Sequence, residues 1–244
     1  LNVKDPSMKA AVFREVGKPL EIEEISISKP GPREVLIRTA AAGVCHSDLH
    51  FVEGLYPAQF PIVLGHESAG IVEQVGEDVT YVKPGDHVIT CLSVFCGHCE
   101  QCLTGHMSLC ANPETRRGPE DGPRLAKDSQ AINQFANLSS FAEQMLIHEH
   151  GLVKIREDMP LDRAALIGCG VTTGVGSVFH TAGVEPGSSV AVVGCGGVGL
   201  SCINGAALAG AGQIIAVDMV DSKLQMAKEF GATDVVNGSD GDVV

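Results

Sequence analysis

The sequence predicts two architectures in series, a β-rich region followed by an α/β region. Three observations predict it. Short β-prone runs separated by Pro- and Gly-containing turns fill the first third. A cysteine cluster then interrupts residues 91–135. From Ser189 onward, apolar strands alternate with helical segments.

The β-rich part is expected to hold strands at Lys9–Phe13, Leu20–Ile27, Glu34–Ala41, Ala69–Val75 and His87–Thr90. Turn signals such as Lys29-Pro30-Gly31-Pro32 and Lys83-Pro84-Gly85-Asp86 separate them, as in a compact barrel or sandwich. Residues 91–135 show little periodicity and read as a loop that needs an external staple. Ser140–Ile147 and Gly151–Ile155 resume strand-like patterning, and Leu161–Ile167 and Gly174–Ala182 read as helices. The α/β part is expected to run strand Ser189–Val193, helix Val198–Ala209, strand Gln213–Val217, helix Ser222–Phe230 and strand Thr233–Val236. Asp221 or Ser222 is the expected N-cap of the last helix, with Gly231 just past its end. This alternation implies a parallel sheet with right-handed crossovers.

Composition narrows the function classes. Of 244 residues 44% are apolar, ample for a buried core. Seventeen basic against thirty acidic side chains give a formal charge of −13, which argues against nucleic acid or an anionic membrane as partner. Nine clustered cysteines suggest metal ligands and core thiols in a reducing, cytoplasmic setting. Leu1–Ser7 has no targeting pattern, and Met8 is the expected native start. Val190–Val217 is uncharged and long enough to span a bilayer, yet its glycine-rich and alanine-rich blocks fit strand, turn and helix better.

Three motifs carry chemistry. Cys96-x2-Cys99-x2-Cys102-x7-Cys110 places four thiolates within one short loop, suited to a closed tetrahedral zinc site. The run lacks the Cys-x3-Cys-Pro ending of a bacterial ferredoxin. Gly194-Cys195-Gly196-Gly197-Val198-Gly199 matches G-x-G-x-x-G between an expected strand and an expected helix. Asp218 lies nineteen residues after Gly199, at the end of the next strand. In a dinucleotide-binding fold the pyrophosphate rests on the helix N-terminus and the carboxylate accepts from the ribose, which favours NAD over NADP. The third motif is dispersed: Cys45-His46-Ser47-Asp48-Leu49-His50, then Gly65-His66-Glu67, then Gly168-Cys169-Gly170. A Cys2His set leaves zinc an open fourth position, while each piece alone is equally readable as packing or a surface turn.

In this order the motifs resemble the zinc-dependent medium-chain alcohol dehydrogenases, class III-like members included, from Lys9 to about Asn237. The resemblance implies a GroES-like catalytic domain over residues 1–165, with a structural-zinc lobe at about 91–115. Residues 166–244 would hold linking helices and the first βαβαβ half of a doubly wound Rossmann domain. It implies two zincs per chain. Cys45, His66 and Cys169 would hold the catalytic one, with Glu67 close behind, and Cys96, Cys99, Cys102 and Cys110 the structural one.

Ser47 would take the alcohol proton and pass it to His50, and Asp48 would fix the tautomer of His66. His46 would meet the coenzyme pyrophosphate, and Gly194, Gly196, Gly197, Val198, Gly199, Asp218 and Lys223 would complete the NAD site. Leu55, Tyr56 and Leu92 are expected at the substrate-pocket wall by the same analogy. The implied activity is oxidation of a small-molecule alcohol to an aldehyde or ketone with hydride transfer to NAD, by a homodimer or homotetramer at full length. A glutathione-dependent formaldehyde dehydrogenase is the alternative, although Leu55–Phe60 carries no acidic residue and His50 is usually lacking in that branch. Family members are longer, so a zinc-binding fragment without catalysis stays open. Cys91, Cys195 and Cys202 read as packing residues, and His148 and His150 have no ligand-like partner nearby in sequence.

Overall fold

The computed structural model describes residues 6–241. Residues 1–5, ahead of the expected start at Met8, and 242–244 lie outside the described residues. The chain divides into two compact units, ending and beginning at Gly168 and Cys169.

In the first unit, β1 (Ser7–Phe13), β2 (Glu21–Ile27), β4 (Ile62–Val63), β7 (Leu125–Lys127) and β8 (Gln130–Gln134) form a closed barrel. Alternation explains its filling. Met8, Ala10 and Val12 of β1 and Ile25 and Ile27 of β2 are buried in one cluster with Leu125 and Ile132. A second sheet has the order β10 (Leu152–Lys154), β6 (His87–Thr90), β5 (Glu67–Val75), β3 (Glu34–Gly43) and β9 (Gln144–His148). Its core gathers Val35, Ile37, Val72, Val88, Met145 and Ile147. α1 (His46–Val52) follows β3, α2 (Glu100–Leu103) lies in the cysteine loop, and α3 (Leu161–Ala164) comes near the unit's end.

In the second unit, α4 (Thr172–Gly176) precedes a parallel sheet β11 (Ser189–Val193), β12 (Gln213–Asp218) and β13 (Asp234–Asn237). The crossovers are α5 (Gly197–Leu208) and α6 (Asp221–Glu229). Val192, Ile203, Ala206, Ile214, Ala216 and Leu224 form one buried cluster beneath them. Val190–Val217 is thus strand, helix and strand. A different run, Leu161–Ala182, is long and apolar enough to cross a membrane by length and composition, a weak criterion that core helices also meet.

Several expectations need correction. Residues 91–135 are not all loop, because β7 and β8 close the barrel there. Ser140–Phe141 are not part of β9; their amides bond the carbonyls of Gly65 and Leu64 instead, at 3.0 Å each. The expected helices 161–167 and 174–182 are broken by π-turns at Ile167–Val171 and Ser177–Ala182. The N-cap of α6 is Val220, without a side-chain cap. Asp221 cannot serve, because it stands inside the first turn and its carboxylate accepts from the Asn237 amide at 2.7 Å.

Candidate zinc and coenzyme sites

The dispersed motif starts at the junction of β3 and α1. Cys45 is extended (φ −101°, ψ 152°) and leaves α1 to begin at His46. Asp48, buried in its first turn, accepts from the Cys45 amide at 3.0 Å through one oxygen. Its other oxygen accepts from the Gly65 amide at 3.1 Å and contacts His66 Nδ1 at 3.3 Å. One carboxylate therefore ties the helix start to the Gly65-His66-Glu67 segment. Gly65 has φ +92°, and a Cβ there would lie 2.5 Å from Ser140 Oγ, so no other residue suits this turn.

With Nδ1–H donating to Asp48, the neutral His66 ring carries its lone pair on Nε2, the tautomer that a metal would bind. Burial alone would lower the His66 pKa, but the hydrogen bond and charge of Asp48 outweigh it and raise it. The ligand atoms of Cys45, His66 and Glu67 lie within 4.8 Å of one another. His66 and Glu67 are both buried, and Cys45 is partly so. A thiol, an imidazole and a carboxylate in a largely buried cluster suit zinc. Cys169, half-buried, opens the second unit within the π-turn after Gly168.

Ser47 and His50 are partly buried along α1, whereas His46 is exposed. The His50 ring meets Tyr56 edge-on, with centroids 5.4 Å apart. Leu55, Tyr56 and Leu92 are exposed. Sequence reading missed Phe135, whose ring packs edge-on against His66 at 5.4 Å and against Phe51 at 4.8 Å. No local signal marks it, because it lies in the stretch read as featureless loop.

The four-cysteine loop is a tight cluster. Its sulfurs lie within 4.8 Å of one another, with Cys96–Cys102 at 3.8 Å, Cys99–Cys102 at 3.5 Å and Cys99–Cys110 at 3.9 Å. A zinc–sulfur bond of about 2.3 Å in a tetrahedron requires sulfur separations of about 3.8 Å, so the cage fits that ion. The Cys96 amide donates to Cys110 Sγ and the Cys99 amide to Cys96 Sγ, each at 3.3 Å. Burial opposes ionisation of Cys96, yet amide donors from His98 and Cys99 push it down to about 6. Cys99 moves the other way, to about 11: an amide at Cys102 favours its thiolate, but hydrogen bonds among the sulfurs and burial outweigh it. Such a donor set needs a cation to hold all four thiolates. His98 stands outside it, paired with Glu114 at 2.5 Å.

In the second unit, the glycine loop has the shape of an anion cradle. Gly194 has φ +97°, and a Cβ on Gly199 would collide with the Gly194 carbonyl oxygen. Gly196 is the N-cap of α5 and brings no side chain to it, so the first amides of the helix stay open to an oxyanion. Gly197 and Val198 are exposed at that helix start. Asp218 accepts from the Cys195 amide at 2.8 Å and from the Val220 amide at 3.0 Å. Those bonds, the Cys195 amide first, hold its carboxyl below the usual range. Lys223 Nζ lies 3.9 Å from the same carboxylate.

Comparison with known proteins agrees with both units. The model of the alcohol dehydrogenase GroES-like domain matches residues 31–157, and that of the zinc-binding dehydrogenases matches residues 197–244. An S-(hydroxymethyl)glutathione dehydrogenase of Escherichia coli O1:K1 is 45% identical over 239 residues, 96% of this chain and 65% of the relative. An alcohol dehydrogenase zinc-binding domain protein of Burkholderia ambifaria superposes with a TM-score of 0.89 at 40% identity, over 98% of this chain and 66% of that one. Benzyl alcohol dehydrogenase of Acinetobacter calcoaceticus gives 0.87 at 38% identity, over 97% and 65%. The chain thus spans about 65% of the length of the curated relatives it matches. With the GroES-like barrel, the parallel sheet and these matches together, the chain belongs to the zinc-dependent medium-chain alcohol dehydrogenases.

Proposed function

We propose that this chain provides the zinc-holding and coenzyme-binding parts of an NAD-dependent oxidation of an alcohol to an aldehyde or ketone. The observation that carries it is the Asp48–His66 pair, which turns a buried imidazole into a metal donor beside Cys45 and Glu67. Cys45, His66 and Cys169 are the proposed ligands of a catalytic zinc, and Cys96, Cys99, Cys102 and Cys110 those of a structural one. Zinc in the first position supplies Lewis acidity, which lowers the pKa of an alcohol hydroxyl. Ser47, one residue before Asp48, accepts that proton and hands it to His50, which the edge of Tyr56 holds in place. Glu67 adds negative charge behind the metal ligands.

In the coenzyme half, α5 presents its open amides to the pyrophosphate, with His46 as a further donor. Asp218 accepts from the ribose hydroxyls and repels a 2′-phosphate, which supports NAD over NADP, and Lys223 balances its charge. The proposed location is cytoplasmic, which the metal-ligand spacing of the cysteines supports. A homodimer or homotetramer is the proposed assembly at full length.

A second reading has its own support: the 45% identical relative acts on S-(hydroxymethyl)glutathione by its name. Two measurements separate the readings. Metal analysis of this chain should find two zincs, and a single zinc lost with Cys99→Ser would remove the catalytic-zinc assignment. A chain of the relatives' full length should reduce NAD with an alcohol panel in the absence of glutathione. A strict requirement for glutathione and formaldehyde would establish the second reading instead.

A further inference from the structure

We propose that the cavity between the β2–β3 turn and the segment returning from the zinc lobe binds a small molecule carrying a phosphate or carboxylate, held by His148, Arg116 and Lys29. The cavity is about 500 Å³, a size suited to a small ligand. It lies wholly within the first unit, and neither Cys45, His66 nor Glu67 lines it. It is thus separate from the proposed catalytic-zinc and coenzyme sites.

The first support is an orphaned donor. His148, at the end of β9, is 4% exposed and lines the cavity. Its Nδ1 accepts from the His150 amide at 3.1 Å, which leaves the proton of the neutral ring on Nε2. Nε2 is buried and has no hydrogen-bond partner among the described residues. Burial, helped by the charge of Arg33 and by His150, pushes the ring down to about 4, so it stays neutral near pH 7. A buried N–H without an acceptor bears an uncompensated desolvation penalty, which a ligand oxygen would relieve.

The second support is the balance of uncommitted charge. Five Lys or Arg and four Asp or Glu side chains line the cavity. Most are engaged within the protein. Glu34 accepts from Arg117 and Arg124 at 2.6 Å each, and from the Gly31 amide at 2.8 Å. Arg33 is bound to Glu149 at 2.9 Å and contacts His150 at 3.1 Å. Glu114 pairs with His98, and Asp121 accepts from the Gly118 amide at 2.7 Å. Arg116 and Lys29 have no side-chain partner among the described residues, and Asp78 is the one carboxylate in the same position. Five cations against four carboxylates, with an unmet N–H among them, favour an anion, and an oxyanion matches guanidinium geometry.

Calorimetric titration of the zinc-loaded chain with inorganic phosphate, and separately with succinate, tests this at matched ionic strength. One saturable site is expected, weakened about tenfold or more by Arg116→Ala and by His148→Phe. The stronger of the two titrants tells whether phosphate or carboxylate is the preferred group. Arg116 is exposed, so its variant carries the test even where His148→Phe does not fold. Absence of saturable binding for both anions, or binding unchanged by Arg116→Ala, would overturn the proposal and leave a water-filled cavity.

Discussion

The two cysteine-bearing clusters of the first unit are built on opposite plans. The four-sulfur lobe draws every donor from fifteen consecutive residues, Cys96–Cys110, and has little apolar packing of its own. Met107, Leu103 and Leu109 within it are exposed. The Cys45–His66–Glu67 cluster draws on α1 and on the start of β5, and its donors are placed by the buried Asp48 and by a glycine turn. In the lobe the metal would organise the chain; in the cluster the fold organises the donors. Loss of metal should therefore have unlike consequences in the two places.

The largest effect is expected from removing a donor of each kind. Cys96→Ser should release one zinc and unfold the lobe, since a structural zinc contributes on the order of 10 kcal/mol to such a fold. Hydrogen exchange across residues 96–110 reads this directly. His66→Ala should release the other zinc while exchange in α1 and β5 stays slow. Melting of both regions by His66→Ala would erase the distinction between the two plans.

Acid should act on the chain that returns from the lobe. Burial works to raise the Glu34 pKa, but Arg117, Arg124 and the Gly31 amide outweigh it and bring it to about 2. A folded value below the unfolded one means that the stabilisation is complete above about 4.5 and is lost as pH falls toward 2. A shift of that size is worth about 3 kcal/mol. Glu34→Gln should flatten the acid limb of the stability curve, measured by urea unfolding between those values. An unchanged limb would relieve Glu34 of its anchoring role.

Asp48→Asn should weaken zinc at His66 by roughly 10- to 100-fold, the usual cost of losing a carboxylate behind a metal-bound histidine. Competition with a chelator measures it, and the lobe zinc serves as the internal control. The smallest effect belongs to the second unit. Asp218→Ser should narrow the proposed preference for NAD over NADP by about tenfold, read from coenzyme dissociation constants.

What was legible in the sequence follows the same division. The lobe could be read from spacing alone, because its donors are neighbours along the chain. The strand–glycine–helix passage from Ser189 to Gly199 was equally local, and β6 and β11 fall at the expected residues. Legibility ended where tertiary partners decide. β7 and β8 are only three and five residues long and gain their pairing from β2 and β4, which no periodicity announces. The Val220 N-cap went unread because Asp221 is drawn to Asn237, sixteen residues away. His148 looked partnerless in sequence. The fold gives it the His150 amide, leaves its other nitrogen buried without a partner among the described residues, and places the residue in the lining of a cavity rich in Arg, a placement with no local signature.

Asp218 has a consequence for anyone who would re-engineer the coenzyme preference. Its two oxygens bridge the Cys195 amide in the glycine loop and the Val220 amide at the mouth of α6. Exchanging it for a small or basic residue removes a clasp between loop and helix along with the proposed ribose acceptor. A successful redesign would need a replacement acceptor for those two amides, chosen together with the substitution.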